Sequence, residues 1–150
     1  MAVEQNAFLN IGGGAIPGNA TVSGYEGQTV VTSVSYGVSQ MGEWEESEQL
    51  TGRVTNFGDL SVTKVMDNGS PSLAQACAMK TQFDNAELNL VAGGDAYLTV
   101  TLEKVIVTNV QVGYTSGDNR PSENIQLSYR KATWRFGTAT ASYDLAAAQK

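Results

Sequence analysis

Histidine is absent from this chain of 150 residues, and cysteine occurs once, as Cys77. The absence of histidine removes the commonest general base and the commonest metal ligand in proteins. A single cysteine forms no internal disulfide, and with no histidine to activate it, Cys77 is better explained as a packed thiol than as a nucleophile. These absences argue against an enzyme, and we expect no catalytic residue, no metal site and no cofactor.

Long apolar runs and an excess of positive charge are missing too. No segment approaches the ~20 apolar residues that span a bilayer, and the opening MAVEQNAFLNIGGG lacks the pattern of a cleaved signal. The net charge is −6 and the isoelectric point is about 4.5, so the surface repels phosphate. We therefore expect no membrane insertion, no nucleic-acid partner, synthesis in the cytoplasm and, for any export, a route without a cleaved signal peptide.

Hydrophobic residues make up 41% of the chain, which suffices for the core of one domain, residues 1–150. Period-two alternation predicts several strands, separated by glycine-containing turns. They run from Ala7 to Ile11, Gln28 to Val38, Arg53 to Val65, Glu87 to Val91, Tyr97 to Val112 and Ile125 to Phe136, with a weaker strand and a frayed tail in 137–150. One helix is expected from about Pro71 to Phe83, with Ser70 as its N-cap. The sequence therefore predicts a mainly β fold: a compact antiparallel β-barrel or two-sheet sandwich with one flanking helix.

Two segments differ in surface character. In the strand from Gln28 to Val38, the apolar face holds Val30 and Val34, and the opposite face holds Ser33 and Ser35, with Val31 as an exception. Small hydroxyl side chains suit contact with water. Residues 39–52 follow, with four glutamates and one tryptophan within the six residues 43–48, and we interpret them as a long loop.

The strand that ends at Phe136 changes phase halfway along. Its apolar residues alternate up to Tyr129 and resume on the opposite phase at Ala132, near Arg130 and Lys131. A shift of one residue moves later side chains to the other face. Either the strand buries one face in its own core and the other against a second copy, or a bulge re-aims the side chains within one core.

The ordered set of segments resembles one family. SVSYGVSQ, RVTNFGDLSVTK, DNGSPSLAQACAMKTQF, AYLTVTLEKVIVTNVQV and DNRPSENIQLSYRKATWRF occur in this order, and together they are similar to the haemolysin-coregulated proteins (Hcp), the tube subunits of type VI secretion systems. The resemblance covers about residues 7–136. It implies a fold like that of phage tail-tube subunits, hexameric rings that stack head-to-tail into a tube, and expulsion of the tube by a contractile sheath. It also implies a spike protein at the tip and small effector proteins inside the ring.

The resemblance favours the interface explanation of the phase shift and assigns surfaces to residues. It implies that Ser33 and Ser35 face the lumen and its effectors. The charges suggest that an acidic ring-stacking loop meets a basic rim on the next ring. The loop consists of Glu43, Trp44, Glu45, Glu46 and Glu48, and the rim of Arg120, Arg130, Lys131 and Arg135. The alternatives are a phage-like contractile tail-tube subunit and a monomeric β-sandwich that binds a sugar or another small ligand.

Overall fold

The computed structural model describes residues 6–44, 50–93, 95–117 and 120–144, with the backbone alone described at 39–44 and 50–57. Within these ranges the chain forms ten strands and one helix. The strands are β1 (Ala7–Ile11), β2 (Thr29–Val30), β3 (Ser33–Ser35), β4 (Val38–Trp44), β5 (Leu50–Phe57), β6 (Leu60–Val65), β7 (Gln82–Ala92), β8 (Asp95–Gly113), β9 (Ser122–Phe136) and β10 (Ala139–Asp144); the helix is α1 (Ser70–Met79).

Eight of the strands form one antiparallel sheet. Its order is β2-β1-β7-β8-β9-β6-β3. One edge of β9 pairs with β8, and the other edge pairs with two strands in turn. Its first half pairs with β6 and its second half with β10. Strands β4 and β5 form a separate two-stranded sheet. The prediction of a mainly antiparallel β fold with one flanking helix is confirmed.

The sheet curls until its two ends meet at consecutive residues. The N–H of Val31 donates to the carbonyl of Ala7 in β1 at 3.0 Å, and the N–H of Thr32 donates to the carbonyl of Thr63 in β6 at 2.8 Å. Two successive amides therefore join the first strand to the far side of the sheet. Because neither edge is left open along this seam, the sheet encloses its core in the manner of a barrel.

The enclosed core is aliphatic and takes residues from most of the strands and from α1. The largest fully buried side chains in it include Leu9, Leu60, Leu88, Leu102 and Leu127. A smaller cluster lies on the other side of β1, where the ring of Phe8 stacks on Tyr25 with centroids 4.5 Å apart. Strand β1 is thus buried on both faces, because the segment 12–28 covers its outer side.

Helix α1 is shorter than predicted. It ends at Met79, because Lys80 adopts a left-handed conformation with φ of 54°, which terminates a helix. The chain then enters β7 at Gln82, so the predicted helical end at Phe83 was wrong. The N-cap is Gly69, and Ser70 is already helical; the predicted capping role of Ser70 was wrong because its hydroxyl has other partners.

The predicted loop over residues 39–52 was wrong in large part. Strands β4 and β5 form a ladder there, closed at its base by the bond from the N–H of Gly58 to the carbonyl of Gly37 at 2.8 Å. The predicted strand from Gln28 to Val38 is divided among β2, β3 and β4, because the barrel seam interrupts it. Val31, the expected exception, is the buried residue, whereas Val38 is half exposed.

The phase shift in β9 is real but involves three strands at once. Buried positions change parity between Tyr129 and Ala132 in β9, and at the same level in β7 and β8. Lys104, in the middle of β8, has φ of 58°, and both ladders pass from residue 103 to residue 105 without pairing it. Tyr129 and Ala132 belong to the same core. The shift therefore bends the sheet around one core, and the interface explanation of it was wrong.

Candidate functional site: assembly surfaces and a buried charge network

Lys64 is fully buried near the end of β6, beside the start of β9 and the first residue of α1. The Nζ of Lys64 donates to Oε1 of Glu123 at 2.7 Å, to Oδ1 of Asp67 at 3.0 Å and to Oγ of Ser70 at 3.2 Å. An ammonium group has three N–H donors, so each has one acceptor. The side chains of Lys64 and Glu123 are 0% and 1% exposed. Such a pair is tolerable in the interior because every donor is satisfied.

Ser70 and Asp67 complete this network and tie four segments together. The hydroxyl of Ser70 donates to Glu123 and accepts the backbone N–H of Asp67 at 2.9 Å. Asp67 also accepts the N–H of Gly69 at 3.0 Å, and the N–H of Met66 donates to the carbonyl of Pro121. The network therefore fixes the start of α1 against the start of β9. It brings together Ser70-Pro71 and Arg120-Pro121, which lie in two of the segments that carry the family resemblance.

Tyr129 joins the bend of the sheet to the base of the β4–β5 hairpin. Its hydroxyl donates to the carbonyl of Gly58 at 3.0 Å. Burial raises the pKa of Tyr129 to about 12, and the negative charge of Asp59 adds to the shift. The neutral phenol is thus the form that the folded chain favours.

Ser33 and Ser35 are exposed on β3, on the face opposite the core. The register continues their rows across three further strands. One row is Ser33, Thr63, Asn124 and Gln111, and the next is Ser35, Ser61, Gln126 and Asn109. Hydroxyls and amides bond along this face, for example Thr63 to Asn124 at 2.8 Å. The eight residues form an uncharged polar face, of which the sequence predicted only the two serines.

The predicted acidic loop falls mostly outside the described residues. Glu45, Glu46 and Glu48 are not described, and Glu43 and Trp44 lie at the end of β4, with only their backbone described. The chain leaves the ladder at Trp44 and re-enters it at Leu50. Glu43 and Trp44 are therefore strand residues, and Glu45, Glu46 and Glu48 fall between the two arms of the hairpin in sequence, outside the described residues.

The four predicted basic residues do not form one cluster. Arg120 precedes β9 and Arg135 lies near its other end, separated by roughly 50 Å of extended chain. Arg135 donates to Oγ1 of Thr99 at 3.1 Å and to the carbonyl of Gly137 at 3.3 Å. Only Arg130 and Lys131 lie together, at the bend.

An open groove of about 600 Å³ crosses the outer side of that bend. One side is the cross-strand row of Gln82, Ile106 and Ser128, and the other is the row of Glu103, Lys131 and Asp144. Lys104 and Arg130 lie between the rows. Nζ of Lys131 is 3.4 Å from Oε2 of Glu103, so its charge is already compensated. Lys104, which no sequence pattern singled out, is exposed in the groove.

Strand β10 presents an apolar face that stays exposed among the described residues. It pairs with β9 so that Ala141 lies opposite Trp134 and Tyr143 opposite Ala132. Directly paired residues share one face of a sheet, so these side chains continue the core-facing surface of β9. Five of the six β10 residues are nevertheless exposed. Phe136, at the same end of β9, is 64% exposed and contacts only the edge of Tyr97 among ring contacts of the described residues.

Catalytic and metal-binding arrangements are not found among the described residues. They bring no three metal-ligating acidic or cysteine side chains together. A lysine can act as the base for a serine nucleophile, and Ser-x-x-Lys spacing occurs at Ser61 and Lys64 and at Ser128 and Lys131. Ser61 and Lys64 point to opposite faces of β6, and Lys64 is buried with all its donors bonded. Ser128 and Lys131 share the outer face, because β9 changes phase between them, but Lys131 is paired with Glu103. No described helix has the length and apolar composition needed to cross a bilayer.

A family model described as "Type VI secretion system effector, Hcp" matches residues 8–136. The chain belongs to the Hcp family. Protein hcp1 of Pseudomonas aeruginosa is 37% identical over 78 residues, which are 49% of this chain and 48% of that protein. The match thus spans about half the length of this curated relative.

Solved structures show the same fold over nearly the whole chain. A type six secretion system protein superposes with a TM-score of 0.84 at 22% identity, covering 96% of this chain and 98% of that one. Hcp1 from Salmonella typhimurium gives 0.81 at 24% identity and 95% of each chain. A type VI secretion system effector from Yersinia pestis gives 0.79 at 23% identity, with 93% and 99% covered. As a member of the Hcp family, the chain is a type VI secretion protein.

Proposed function

We propose that this Hcp-family chain is the structural subunit of a type VI inner tube, and that it closes into hexameric rings that stack head-to-tail. The observation that carries the proposal is the uncovered apolar face of β10. Ala139 and Ala141 on that face lie opposite Phe136 and Trp134 and continue a surface that the rest of β9 buries, and burial of apolar area drives association. A neighbouring copy in a ring would cover it.

The ring has a suitable inner wall in the uncharged polar face around Ser33 and Ser35. Hydroxyl and amide side chains hydrogen-bond to water and to one another, and they carry no net charge that would hold a cargo protein by attraction. We assign this face to the lumen, where small effector proteins travel. The spike protein and the contractile sheath are the other proposed partners, with assembly in the cytoplasm and secretion without a cleaved signal peptide.

The role is structural and not catalytic. The Lys64 network is buried, and the lysine's donors are all bonded. It therefore has neither access for a substrate nor a free donor to offer one. Its effect is to hold α1 and the start of β9 in fixed positions on the barrel.

Two substitutions on adjacent positions of β10 test ring formation. Ala141→Lys places a charge on the uncovered face, and Ser142→Lys places the same charge on the opposite face. We expect the wild type and Ser142→Lys to give hexamers by native mass spectrometry and rings in electron micrographs, and Ala141→Lys to give folded monomers. A wild type that stays monomeric at all concentrations would overturn the proposal, as would intact rings of Ala141→Lys.

A further inference from the structure

We propose that the groove at the bend of β7, β8 and β9 is a docking site for residues 43–48 of a second copy of this chain, with Lys104 and Arg130 receiving the carboxylates. The inference deepens the proposed tube function and rests on it. It replaces the predicted four-residue basic rim with a two-residue acceptor. Lys104 was not part of that rim, and Arg120, Lys131 and Arg135 leave it.

The charges in the groove single out these two residues. Lys104 and Arg130 are both exposed, and their side chains have no hydrogen bond or ion pair with any described residue. Lys131 is held by Glu103 at 3.4 Å, and Asp144 lies opposite it on β10. Two cations are therefore available in a concave site. A guanidinium binds a carboxylate through two parallel hydrogen bonds, and an ammonium adds a point charge.

The backbone prepares the site. Lys104 holds φ of 58° in the middle of β8, a left-handed conformation in which a non-glycine residue is strained. Strain of this kind persists where the surrounding structure enforces it, and it collects at binding sites. Here it accompanies the loss of Lys104 from both ladders. The outcome is that Lys104 and Arg130 are presented on the same outer surface.

The acidic segment is the complementary partner within the same sequence. Residues 43–48 carry four glutamates and no basic residue, in a chain of net charge −6. The net charge makes copies of the chain repel one another, and a contact between an acidic part of one and a basic part of the other offsets this repulsion. Among the described residues, the groove places two cations without an ion-pair partner, Lys104 and Arg130, on one concave surface.

The hairpin geometry makes this contact intermolecular. Its base lies at Gly58, whose carbonyl is bonded to Tyr129 in the wall of the groove. The arms are seven and eight residues long, so the ladder extends about 20 Å from its base at roughly 3.3 Å per residue. An extended ladder that starts beside the groove carries its far end away from it, and the acidic segment reaches the groove of another copy.

Disulfide trapping between two copies tests the contact directly. One chain carries Glu46→Cys and the other Ser128→Cys, which lines the groove and leaves both cations in place; both chains carry Cys77→Ala. We expect the mixed disulfide to form at least about tenfold faster than with Ser122→Cys, an exposed position on the same strand, because docking raises the local thiol concentration. Raised salt slows the reaction of the Ser128→Cys pair.

Matched charge reversals separate this site from general electrostatics. Lys104→Glu with Arg130→Glu, in the Ser128→Cys chain, should abolish the rate advantage. Arg120→Glu with Arg135→Glu makes the same change of charge outside the groove and should preserve it. Equal trapping at Ser128 and Ser122, or equal loss in the two double variants, overturns the inference. Rings that form normally without this trapping would refute the docking site alone, whereas absent rings refute the tube function.

Discussion

Lys64 on β6 and Glu123 on β9 are direct partners in the antiparallel ladder, and their charged atoms meet 2.7 Å apart in the interior. Adjacent strands thus present opposite charges to the same buried space. Ser70 and Asp67 absorb the remaining donors of the lysine. This arrangement fixes helix α1 to the sheet through polar groups, whereas most of the core is aliphatic.

Removal of one member of this network should destabilise the chain severely. Lys64→Met leaves the carboxylates of Glu123 and Asp67 buried without their cation, which costs about 3–5 kcal/mol. The free energy of unfolding in urea, followed by tryptophan fluorescence, measures the loss. Lys131→Met is the control, because its exposed pair with Glu103 contributes less than about 1 kcal/mol. Similar losses in the two variants would contradict a structural role for the buried network.

Replacement of both members of the pair should be milder than the sum of the single replacements. Lys64→Met with Glu123→Leu removes both charges together, although Asp67 then loses its cation. Buried ion pairs replaced by apolar residues are often near neutral in stability. A double-mutant cycle in urea should give a coupling energy of about 1–3 kcal/mol. Strict additivity would show that Lys64 and Glu123 act independently.

Gly69 is required by a close backbone approach. A Cβ at this position would lie 2.0 Å from the carbonyl oxygen of Pro17, so Gly69→Ala should lower the unfolding free energy by about 1–3 kcal/mol through overpacking. Gly113→Ala is a suitable control, since a Cβ there meets no heavy atom within 4 Å. Thermal unfolding of both variants checks the difference, and an unchanged melting temperature for Gly69→Ala would show that the segment at Pro17 yields.

The raised pKa of Tyr129 predicts that the free energy of unfolding decreases at alkaline pH. Its pKa is near 10.0 in the unfolded chain and about 12 in the folded one, so the folded state retains the proton between these values. Stability from this group is fully present below pH 10 and decreases as the pH rises to about 12. Tyr129→Phe should show a shallower decrease over that interval in urea titrations. Parallel profiles for the variant and the wild type would exclude this cause.

Substitutions at Ser35 test the proposal that the uncharged polar face lines the lumen of the ring. Ser35→Trp places a bulky ring on the uncharged polar face, and we expect rings of normal mass that retain less cargo and export it poorly. Ser35→Thr, which keeps a small hydroxyl, is the matched control. Co-purification of a cargo protein and its appearance outside the cell are the measurements. Unchanged retention and export in Ser35→Trp would place this face away from the channel.

The sequence contained more of the buried network than was recognised. Period-two alternation places Lys64 on the face of Leu60 and Val62, and it places Glu123 on the face of Ile125 and Leu127. A charge on the apolar face of a strand predicts a buried partner. The pairing itself depends on the order of β6 and β9 in the sheet, which alternation does not determine.

Other errors have separate physical origins. Glutamates have low strand propensity, so the β4–β5 hairpin resembled a loop even though its arms pair backbone to backbone. The phase change near Arg130 was found correctly, but its meaning depended on matching changes in two other strands. Helix α1 was extended too far because the residues after Lys80 remain compatible with a helix until its left-handed φ is known.

The closed sheet, with its seam at Val31 and Thr32, has a consequence for when the chain can fold during synthesis. Strand β1 pairs with residues 86–90, and β6 pairs with residues 122–127. During synthesis, β1 leaves the ribosome long before its neighbour β7 exists, and β6 leaves long before its neighbour β9. The seam residues themselves lie within residues 7–63, but the sheet that connects them around the core needs strands up to β9. Non-local pairing of this kind slows folding, so the nascent subunit completes its barrel only after β9 has emerged, and a product truncated before β9 lacks it.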